Sequence, residues 1–399
     1  MIHFVKGNHI ELLRNGSDFF PALVNAINQA QQEIYIQTYI YADDETGRMI
    51  GDTLKQAAQR GIKAYLLIDG FGSKELSRSF IQELKDAGVQ VRFYRPQVSP
   101  WTFKRNRLRR LHRKVTVIDG KIGFVGGINI INDCETPDKT PPRLDYALRI
   151  EGNLLTQLTV SVKKMWQRTY WRPNWSADWA SELSSKLNPN QFRQKQVQPH
   201  VTETMEDGIE AAFVIRDNIF HKHDIEQTYL QAIREAKTEI IIANAYFMPG
   251  RRFRHALIAA AKRNVKVVLL LQGRMEYFMM FATHAFYNIL LKNGIEIYEY
   301  RQGFMHSKVA VIDSYWATVG SSNIDPFSLL LAQEANVVIR DSNFANILRN
   351  DLLTCITDSA HRVNPYRWMS GHTTKRILSW VAYGLYKFGL GLIGRTHHH

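Results

Sequence analysis

Cysteine is scarce in this sequence of 399 residues. Only Cys134 and Cys355 occur, too few for the dense disulfide framework of a small secreted domain. We therefore expect the fold to depend on a buried apolar core, which a chain of this length is large enough to form. A reducing compartment suits such a chain.

Long apolar runs are absent from the beginning of the chain. The first 16 residues, MIHFVKGNHIELLRNG, contain no stretch of signal-peptide length, so we expect no secretion by that route. A 17-residue apolar stretch lies near the other end, at 377–393, where Lys387 interrupts it. It falls short of the roughly 20 residues that a membrane span needs. We predict an amphipathic, membrane-associating tail at 373–396, with a helix docked on the protein's own core as the alternative. The last three histidines, 397–399, are interpreted as the remnant of a purification tag.

Acidic residues are too few to balance the basic ones. The chain has 51 lysines and arginines and 37 aspartates and glutamates, a net charge of +14. Such an excess favours a polyanionic partner, and both nucleic acid and an anionic membrane surface fit that description. Hydrophobic residues make up 45% of the chain, which excludes an intrinsically disordered protein. The composition therefore indicates a folded, basic protein without choosing its partner.

The most informative feature that is present is a motif that occurs twice. Each copy reads His-x-Lys followed, after four further residues, by Asp, and each continues into a glycine-rich turn that ends in Asn. The copies are HRKVTVID, with His112, Lys114, Asp119 and then Asn129, and HSKVAVID, with His306, Lys308, Asp313 and then Asn323. In a strand, residues i and i+2 point to the same side, so the His and Lys of each copy face one way together. One copy supplies too few groups for a displacement at phosphorus, whereas two copies supply a nucleophile, an acid and two cations.

The two motifs belong to a longer internal repeat. Residues 26–34 reappear at an offset of 206 residues as 232–240, and each copy continues with apolar runs that alternate with helical stretches. The runs IYIQTYIY and KAYLLID of the first copy match IIIANAYF and KVVLLLQ of the second. Because such runs suit strands buried on both faces, we predict an α/β fold with a mixed, mainly parallel sheet flanked by helices in each half. The predicted domains are 1–172 and 208–372, with a polar connection at 173–207.

On these motifs the chain resembles the phospholipase D superfamily, and within it the short bacterial cardiolipin synthases, which lack N-terminal membrane-spanning helices. The resemblance covers roughly residues 8–370. It implies two duplicated domains packed face to face around one shared active site, to which each domain contributes one motif. It further implies a phosphatidyltransferase that moves the phosphatidyl group of one phosphatidylglycerol onto another and releases glycerol.

The resemblance also implies a role for each residue of the site. His112 is expected to attack the phosphate and form a covalent phosphatidyl-histidine, while His306 acts as acid and then as base. The opposite assignment stays open, because the residues alone do not order the two histidines. The phosphate oxygens are expected to contact the motif lysines and the turn amides, and acidic residues beyond the turns are expected to orient the histidines. These residues are Lys114, Lys308, Asn129 and Asn323 for the phosphate, and Asp145 and Glu334 for the histidines.

Two further features of the motifs bear on the site. Asp119 and Asp313 complete the two catalytic motifs, but we expect them to brace the strand and its turn rather than contact substrate. Gly127 stands where relatives often have Ser and where the second half has Ser321. This difference is interpreted as the loss of a phosphate hydrogen bond on one side of the site.

Neither a metal nor any other cofactor is predicted. No grouping of His, Cys and carboxylates in the sequence has convincing ligand spacing, and two lysines beside the motif histidines would repel a cation. His221 and His223, on either side of Lys222, are expected to be solvated.

Three segments favour a lipid substrate, and the tail is the first of them. The second is 275–291, which is far more apolar than its counterpart and is interpreted as an entrance for acyl chains, with burial in the core as the alternative. The third precedes His112 and mixes aromatic with basic residues, PQVSPWTFKRNRLRR, which suits an anionic bilayer and equally a nucleic-acid backbone. The residues expected to contact the membrane or a headgroup are Arg105, Arg107, Arg109, Arg110, Arg251 and Arg252.

The sequence thus predicts a peripheral protein of the bacterial cell membrane, on its cytoplasmic side, with phosphatidylglycerol as substrate and no nucleic-acid partner. A hydrolytic phospholipase D, in which water is the acceptor, is the closest competing function. A nuclease of the same superfamily and a catalytically silent membrane scaffold compete less strongly. The apolar tail argues against the nuclease, and intact motifs in both halves argue against the scaffold. The sequence does not specify an oligomeric state.

Overall fold

Two consecutive α/β halves make up the described part of the chain. A computed structural model describes residues 2–95, 109–134, 142–170, 208–218, 220–274 and 282–370, together with 379, 381 and 384. The first half contains β1 (Val5–Arg14), α1 (Asn15–Asn28), β2 (Glu33–Thr38), α2 (Glu45–Gln59), β3 (Lys63–Asp69), α3 (Arg78–Asp86), β4 (Gln90–Tyr94), β5 (Lys114–Ile118), β6 (Ile122–Gly126), β7 (Tyr146–Gly152) and α4 (Leu155–Tyr170). The second half contains β8 (Ile209–Arg216), α5 (Asp224–Glu235), β9 (Glu239–Asn244), α6 (Arg251–Lys262), β10 (Lys266–Gln272), α7 (Tyr287–Lys292), β11 (Glu296–Tyr300), β12 (Lys308–Ile312), β13 (Trp316–Gly320), α8 (Pro326–Leu330), β14 (Glu334–Arg340), α9 (Ser342–Ser359), β15 (Ala360–Arg362) and α10 (Pro365–Ser370).

The strands of each half form one sheet, and the two sheets are joined edge to edge. The first-half order is β4-β3-β2-β5-β6-β7-β1, and the second-half order is β11-β10-β9-β12-β13-β14-β8, with β15 on the outer edge. Strand β1 pairs with β8 in antiparallel fashion, which makes one continuous sheet of 15 strands in the part of the chain described. Because the two orders match strand for strand, the duplication predicted from the sequence is confirmed.

Most strand pairs are antiparallel, so the expectation of a mainly parallel sheet is wrong. Among the described strands, four ladders are parallel, namely β2–β3, β3–β4, β9–β10 and β10–β11. The other ten are antiparallel. Continuous apolar runs indicate burial on both faces, not strand direction. Direction follows from the connections, since the short turns that join β5 to β6 and β12 to β13 require antiparallel pairing.

The two halves pack against each other through one face of each sheet. A single apolar cluster contains buried residues of both halves, among them Val115 and Val117 of the first motif and Val309 and Val311 of the second. Strands β6 and β7 contact β13 and β14 across this interface. The opposite faces are covered separately, by α1, α2 and α3 in the first half and by α5, α6 and α7 in the second. The predicted face-to-face packing is confirmed.

Side-chain caps fix the starts of three helices that pack on the sheet. Asp44, Ser77 and Asp341 each accept a hydrogen bond from a backbone N–H in the first turn of the following helix, which is α2, α3 and α9 respectively. Such caps satisfy donors that have no partner within the helix itself. The sequence therefore encodes these helix starts locally, before any packing.

Several predicted segments lie outside the described residues. These are the connection at 173–207, most of the tail at 373–396, the basic and aromatic segment at 96–108 and the terminal histidines at 397–399. The domain boundaries stay predictions; the elements nearest to the connection are α4, which ends at Tyr170, and β8, which begins at Ile209. Within the described ranges, no helix is both long and apolar enough to cross a bilayer.

The apolar segment at 275–291 is only partly described, and its described part belongs to the core. In α7, the side chains of Tyr287, Leu290 and Leu291 are buried in the second-half cluster. The entrance for acyl chains predicted here is therefore wrong for most of residues 282–291, where burial in the protein interior accounts for the apolar side chains except that of Ile289, which is 40% exposed. Residues 275–281 lie outside the described chain.

Candidate active site

Backbone hydrogen bonds that cross between the halves hold the two motif histidines in place. The N–H of His112 donates to the carbonyl of Gln333 at 3.0 Å, and the N–H of His306 donates to the carbonyl of Leu144 at 2.8 Å. These bonds form just before β5 and β12 begin. Each histidine is therefore positioned by the half of the chain to which it does not belong.

Two carboxylates cross between the halves in the same way. Nδ1 of His112 lies 3.1 Å from Oε2 of Glu334, and Nδ1 of His306 lies 2.6 Å from Oδ2 of Asp145. A neutral imidazole that donates its Nδ1 hydrogen to a carboxylate keeps its lone pair on Nε2, the atom that can attack phosphorus or accept a proton. Both carboxylates were expected from the sequence as orienting residues. That each contacts the histidine of the other half emerges only from the structure.

The two carboxylates have different surroundings because the first half has Gly127 where the second half has Ser321. The hydroxyl of Ser321 donates to Oε2 of Glu334 at 2.5 Å. A β-carbon at Gly127 would lie 2.2 Å from Oδ1 of Asp145, so no side chain fits there without displacing the carboxylate. The space that Asp145 occupies therefore explains why residue 127 is glycine. From the sequence alone, this glycine is interpreted only as the loss of a phosphate hydrogen bond.

The motif lysines are buried, and their pKa values are lowered. Nζ of Lys114 donates to the carbonyl of His112 at 2.7 Å, and Nζ of Lys308 donates to the carbonyl of His306. Burial, followed by the charge of Lys308, lowers the pKa of Lys114 to about 7. Burial lowers the pKa of Lys308 to about 8, although Asp145, 3.8 Å away, opposes this change. A phosphate is a suitable ligand here, because its negative charge would offset both the desolvation and the mutual repulsion of the two ammonium groups.

Burial also keeps both imidazoles neutral. It lowers the pKa of His112, and the nearby carboxylate of Glu334 opposes this effect only in part. For His306, burial and then the charges of Lys308 and Lys114 hold the pKa well below its usual range. A proton on His112 would lower it further, so the two rings are close enough for the charge of one to act on the other. Neutral imidazole is the form in which histidine acts as nucleophile or base.

The motif aspartates brace the chain at a distance from the histidines. Their carboxylates accept backbone hydrogen bonds, Asp119 from Gln31, Gln32 and Glu33, and Asp313 from Lys237, Thr238 and Glu239. Asp119 follows His112 by seven positions along an extended segment, roughly 20 Å. The bracing expected from the sequence is observed, and the inclusion of Asp119 and Asp313 among the catalytic residues is corrected. They anchor the far end of each motif strand instead of facing the site.

The turn asparagines differ in their hydrogen bonds. Oδ1 of Asn129 accepts from the N–H of Ile40 at 3.1 Å, which leaves the amide nitrogen as the group that can donate to phosphate. Oδ1 of Asn323 is buried without a hydrogen-bond partner among the described residues. Contact of either amide with phosphate stays a prediction.

Matched polar residues at the ends of β3 and β10 support the segments before the histidines, and sequence reasoning missed both. Oδ2 of Asp69 accepts from the N–H of Leu111 at 2.8 Å, and Oε1 of Gln272 accepts from the N–H of Met305 at 3.0 Å. The signal was present, because these residues end the matched runs KAYLLID and KVVLLLQ. A polar side chain at the end of a buried strand requires a partner.

Tyr39 is a further residue of the site that was not predicted. Its ring centroid lies 4.9 Å from that of His112, and Nζ of Lys114 lies 5.4 Å from the same centroid. The repeat offset of 206 places Ala245 at the matching position, and the ring near His306 is instead that of Phe304, 6.3 Å away. The two sides of the site therefore present different surfaces to a bound molecule.

A family model and curated relatives both match this chain over most of its length. A family model described as "Cardiolipin synthase, PLD-like domain" matches residues 23–137 and 229–355, one segment in each half. The chain is 41% identical over 365 residues to cardiolipin synthase B of Salmonella typhimurium, an alignment that covers 90% of this chain and 83% of that protein. Identity to cardiolipin synthase B of Escherichia coli K12 is 38% over the same shares.

The chain belongs to the cardiolipin synthase family of the phospholipase D superfamily. Among solved structures, a phosphatidylserine synthase of Haemophilus influenzae matches with a TM-score of 0.71 over 98% of this chain and 95% of that one. Its sequence is 14% identical, so this match supports the fold alone. The family model and the identities to cardiolipin synthase B proteins confirm the family membership expected from the paired motifs.

One of the arginines expected at the membrane is buried in this member of the cardiolipin synthase family. The side chain of Arg110 is 4% exposed, lies 3.7 Å from Asp69 and stacks at 5.0 Å over the ring of Phe71. The carbonyl of Arg110 accepts a hydrogen bond from the N–H of Gln333 at 2.7 Å, which draws this segment into the interface. The predicted membrane contact is therefore wrong for Arg110.

The other arginines predicted at the membrane have different positions. Arg251 and Arg252 are exposed at the start of α6, and their contact with a headgroup stays a prediction. Arg109 is half-buried and lines a small cavity. Residues 105 and 107 lie outside the described chain.

The histidines outside the motifs are not grouped as metal ligands. His221 lies 2.7 Å from Asp224, and His223 lies 3.7 Å from Glu226, each as a single partly exposed pair. Among the described residues, no three His, Cys, Asp or Glu side chains are placed to hold a metal ion.

Proposed function

We propose that the chain is a cardiolipin synthase, which transfers the phosphatidyl group of one phosphatidylglycerol to the terminal hydroxyl of a second and releases glycerol. The observation that carries the proposal is the crossed pairing of His112 with Glu334 and of His306 with Asp145. Two imidazoles of fixed tautomer beside two buried ammonium groups suit a displacement at a phosphodiester. Identity to cardiolipin synthase B proteins narrows that chemistry to phosphatidyl transfer.

The first step of the proposed mechanism forms a covalent phosphatidyl-enzyme. Nε2 of neutral His112 attacks phosphorus, so that a P–N bond forms while the P–O bond to the glycerol headgroup breaks. His306, protonated on Nε2, gives this proton to the departing glycerol oxygen. Binding of the anionic phosphodiester raises the pKa of His306, because it offsets the lysine charges that lower it in the free enzyme.

The second step transfers the phosphatidyl group to the acceptor. His306, neutral after the first step, takes the proton from the hydroxyl of a second phosphatidylglycerol. The acceptor oxygen attacks phosphorus, the P–N bond breaks, and cardiolipin leaves while His112 returns to its neutral form. His306 retains the proton that the next leaving group requires, so the cycle is balanced.

The motif lysines stabilise the charge that develops on the non-bridging oxygens in both steps. Lys114 and Lys308 already donate to the backbone carbonyls of the two histidines, so each ammonium group is fixed next to the ring with which it acts. Fixed donors aimed at developing charge typically contribute several kcal/mol to catalysis. The amides of Asn129 and Asn323 are proposed as further donors.

Hydrolysis is the second candidate function, because water can attack the same phosphatidyl-enzyme. The identity to cardiolipin synthase B proteins favours a lipid alcohol over water. A nuclease is the least favoured candidate. We place the proposed synthase on the bacterial cell membrane as a peripheral protein of its cytoplasmic face, since its substrates are membrane lipids and its charge of +14 favours an anionic surface.

The test is incubation of the purified protein with phosphatidylglycerol vesicles in excess EDTA, followed by mass spectrometry of the lipids and assay of free glycerol. Cardiolipin and glycerol in equal amounts are the expected result. Phosphatidic acid without cardiolipin would show that the protein is a hydrolytic phospholipase D and not a synthase. Cleavage of DNA without any lipid product would overturn lipid chemistry altogether.

A further inference from the structure

A small cavity with a basic wall lies beside the segment that carries His112, and the mechanism above does not use it. Its volume is about 230 Å³. Arg109, Arg216, Lys222 and His223 supply basic groups, and Leu330 supplies part of the apolar wall. No carboxylate is present among the described residues that line it. Arg109 comes from the first half of the chain, and the other residues named here come from the second half.

Arg216 is the fixed part of this cavity. Its side chain is only 3% exposed, and its guanidinium donates to the carbonyls of Leu330 and Ala332 and to Oδ1 of Asn218 at 2.9 Å. Its Nε is buried without a hydrogen-bond partner among the described residues. Its direct hydrogen-bond partners are thus neutral oxygens, while the carboxylates of Glu334 and Asp217 also act on its charge. A buried cation whose direct partners are neutral can bind a further anion nearby.

Lys222 and His223 lie together at the cavity, and the lysine brings further positive charge. Both are exposed, and they precede α5. Nδ1 of His223 also lies 3.7 Å from a carboxylate oxygen of Glu226. An anion in the cavity can therefore be held by a fixed guanidinium and by an exposed ammonium group, both of which prefer the oxygens of a phosphate.

The cavity and the active site share two segments of backbone. Gln333 donates to the carbonyl of Arg110 and accepts from the N–H of His112, so the segment before His112 runs beside the segment before Glu334. Arg109 precedes His112 by three residues, which limits the separation of their α-carbons to about 11 Å. One lipid headgroup can therefore extend from the cavity toward the reacting phosphorus.

Two exposed apolar side chains belong to this region, Leu330 in the cavity wall and Phe220 two residues before Lys222 in the chain. Phe220 is 77% exposed, and Leu330 is 51% exposed. The carboxylate of Asp217 accepts from the N–H groups of Phe220 and His221 at 2.8 and 2.9 Å, which fixes the loop that presents the phenylalanine. Apolar side chains beside a basic cavity suit a lipid whose headgroup is bound while its acyl chains remain in the membrane.

We propose that this cavity binds the phosphate of the acceptor phosphatidylglycerol, the lipid whose hydroxyl attacks the phosphatidyl-enzyme. The inference rests on the proposed function. Cardiolipin carries two phosphates joined by one glycerol, so a synthase requires a second phosphate site one headgroup away from the first, whereas a hydrolase does not. Occupation of this site also places a lipid hydroxyl, rather than water, near the phosphatidyl-histidine.

Two reactions of the full-length enzyme separate the acceptor site from the donor chemistry. Cardiolipin formation requires an acceptor that carries a phosphate. Exchange of the phosphatidylglycerol headgroup with isotopically labelled glycerol reverses the first step and requires no such acceptor. Both reactions are measured by lipid mass spectrometry in the same phosphatidylglycerol–detergent micelles. The variants are Lys222→Ala and Arg109→Gln, and the control is Lys121→Ala, an exposed lysine beyond the opposite end of β5.

In the Lys222→Ala and Arg109→Gln variants, cardiolipin formation should fall about tenfold, because each loses a charge-assisted hydrogen bond to the acceptor phosphate. Exchange with labelled glycerol should remain at the wild-type rate. The Lys121→Ala control should retain both activities. Circular dichroism of each variant shows whether it is folded, and the exposed Lys222 can be removed without disturbing the core.

Three outcomes would overturn the acceptor site. Unchanged cardiolipin formation in both variants would show that the cavity has no part in transfer. A parallel fall in both activities, together with weaker binding to phosphatidylglycerol vesicles, would identify a general anchor for anionic lipid. Wild-type enzyme that exchanges glycerol but forms no cardiolipin would overturn the proposed function itself, and with it the acceptor.

Discussion

Oδ2 of Asp145 and Nδ1 of His306 lie 2.6 Å apart although they belong to different halves of the chain. Glu334 and His112 form the equivalent contact in the opposite direction. Neither half alone contains a histidine with its orienting carboxylate. The duplicated fold therefore predicts one shared active site, which would exist only when the two halves are packed together.

Replacing Asp145 by Asn should impair turnover while the fold is retained. An amide can present its NH₂ group to Nδ1 of His306 and so select the wrong tautomer, for which a loss of roughly 100-fold or more in kcat is expected. Glu334→Gln should have the same effect through His112. The measurement is the initial rate of cardiolipin formation, with Glu235→Gln, an exposed residue of α5, as the control. Near-normal kcat in Asp145→Asn would contradict the orienting role.

The crossed pairing also predicts how two substitutions combine. In a His306→Ala background, Asp145→Asn should cause no further loss of residual activity, because the carboxylate acts only through that ring. Combining Asp145→Asn with His112→Ala is the comparison. An additional loss in the His306→Ala background would mean that Asp145 has a separate role.

The pH dependence of kcat/KM should be bell-shaped and narrow. Burial raises the pKa of Asp145 to about 6, so its carboxylate is lost as the pH falls through that value. Lys114, with a pKa of about 7, and Lys308, with a pKa of about 8, lose their charge as the pH rises. We therefore expect kcat/KM, which reports the free enzyme, to decline as the pH falls below about 6 and as it rises above about 7, with a steeper fall beyond about 8.

The alkaline limb of kcat should lie at higher pH than that of kcat/KM. A bound phosphodiester stabilises both ammonium groups and raises their pKa values in the enzyme–substrate complex. Initial rates over a pH series, at low and at saturating phosphatidylglycerol, measure the two profiles. Coincident alkaline limbs would show that the lysines do not contact the phosphate.

Lys114→Met should abolish turnover and stabilise the fold. The lysine has a pKa of about 7 in the folded enzyme and 10.5 ordinarily, so the unfolded chain holds the proton more tightly. The cost of burying this charge is therefore complete below pH 7 and disappears toward pH 10.5. Removing the ammonium group should relieve that cost, because burial and the charge of Lys308 both disfavour it.

Urea denaturation near pH 7 and near pH 10.5 tests whether Lys114→Met raises the free energy of unfolding. The gain of Lys114→Met over the wild type should be larger at the lower pH. Lys121→Met, at an exposed position, should change stability little at either pH. A Lys114→Met variant that is less stable at both pH values would contradict the electrostatic cost assigned to the buried ammonium group.

Asp119→Ala should reduce stability and leave chemistry intact. The carboxylate accepts three backbone hydrogen bonds that no other described group replaces, so a loss of about 1–3 kcal/mol is expected. Asp313→Ala should behave in the same way. Thermal melting and kcat at a temperature where the variant is folded are the two measurements. A large fall in kcat with unchanged melting would return Asp119 to the catalytic residues.

The sequence predicted the parts of the site better than their connections. The two motifs follow from local patterns and both acidic residues from the family resemblance, and the structure places the motif histidines and these acidic residues at the interface of the halves. Which carboxylate contacts which histidine depends on how the halves pack, and no local pattern encodes that. The antiparallel majority of the sheet was missed for a similar reason, since apolar runs report burial but not direction.

Burial of the segment before His112 could not be predicted from the local sequence either. Arg110 lies within a run of basic residues that is typical of an exposed surface. Its partner Asp69 ends β3, some forty residues earlier in the chain, and only the folded sheet brings them together. The repeat held a usable signal, because Asp69 matches Gln272 and Arg110 matches Phe304, so both members of the pair change together between the halves.

The central claim, that one histidine from each half acts on a single phosphorus atom, is tested most directly by trapping the covalent intermediate. A phosphatidyl ester of p-nitrophenol has a leaving group that requires no proton, so it needs only the nucleophile for the first step. His306→Ala should release one equivalent of p-nitrophenol and then stop, with a phosphatidyl group on His112 detected by intact-protein and peptide mass spectrometry. His112→Ala should release none. Continuous release by both variants would show that each half works alone and would contradict the shared site.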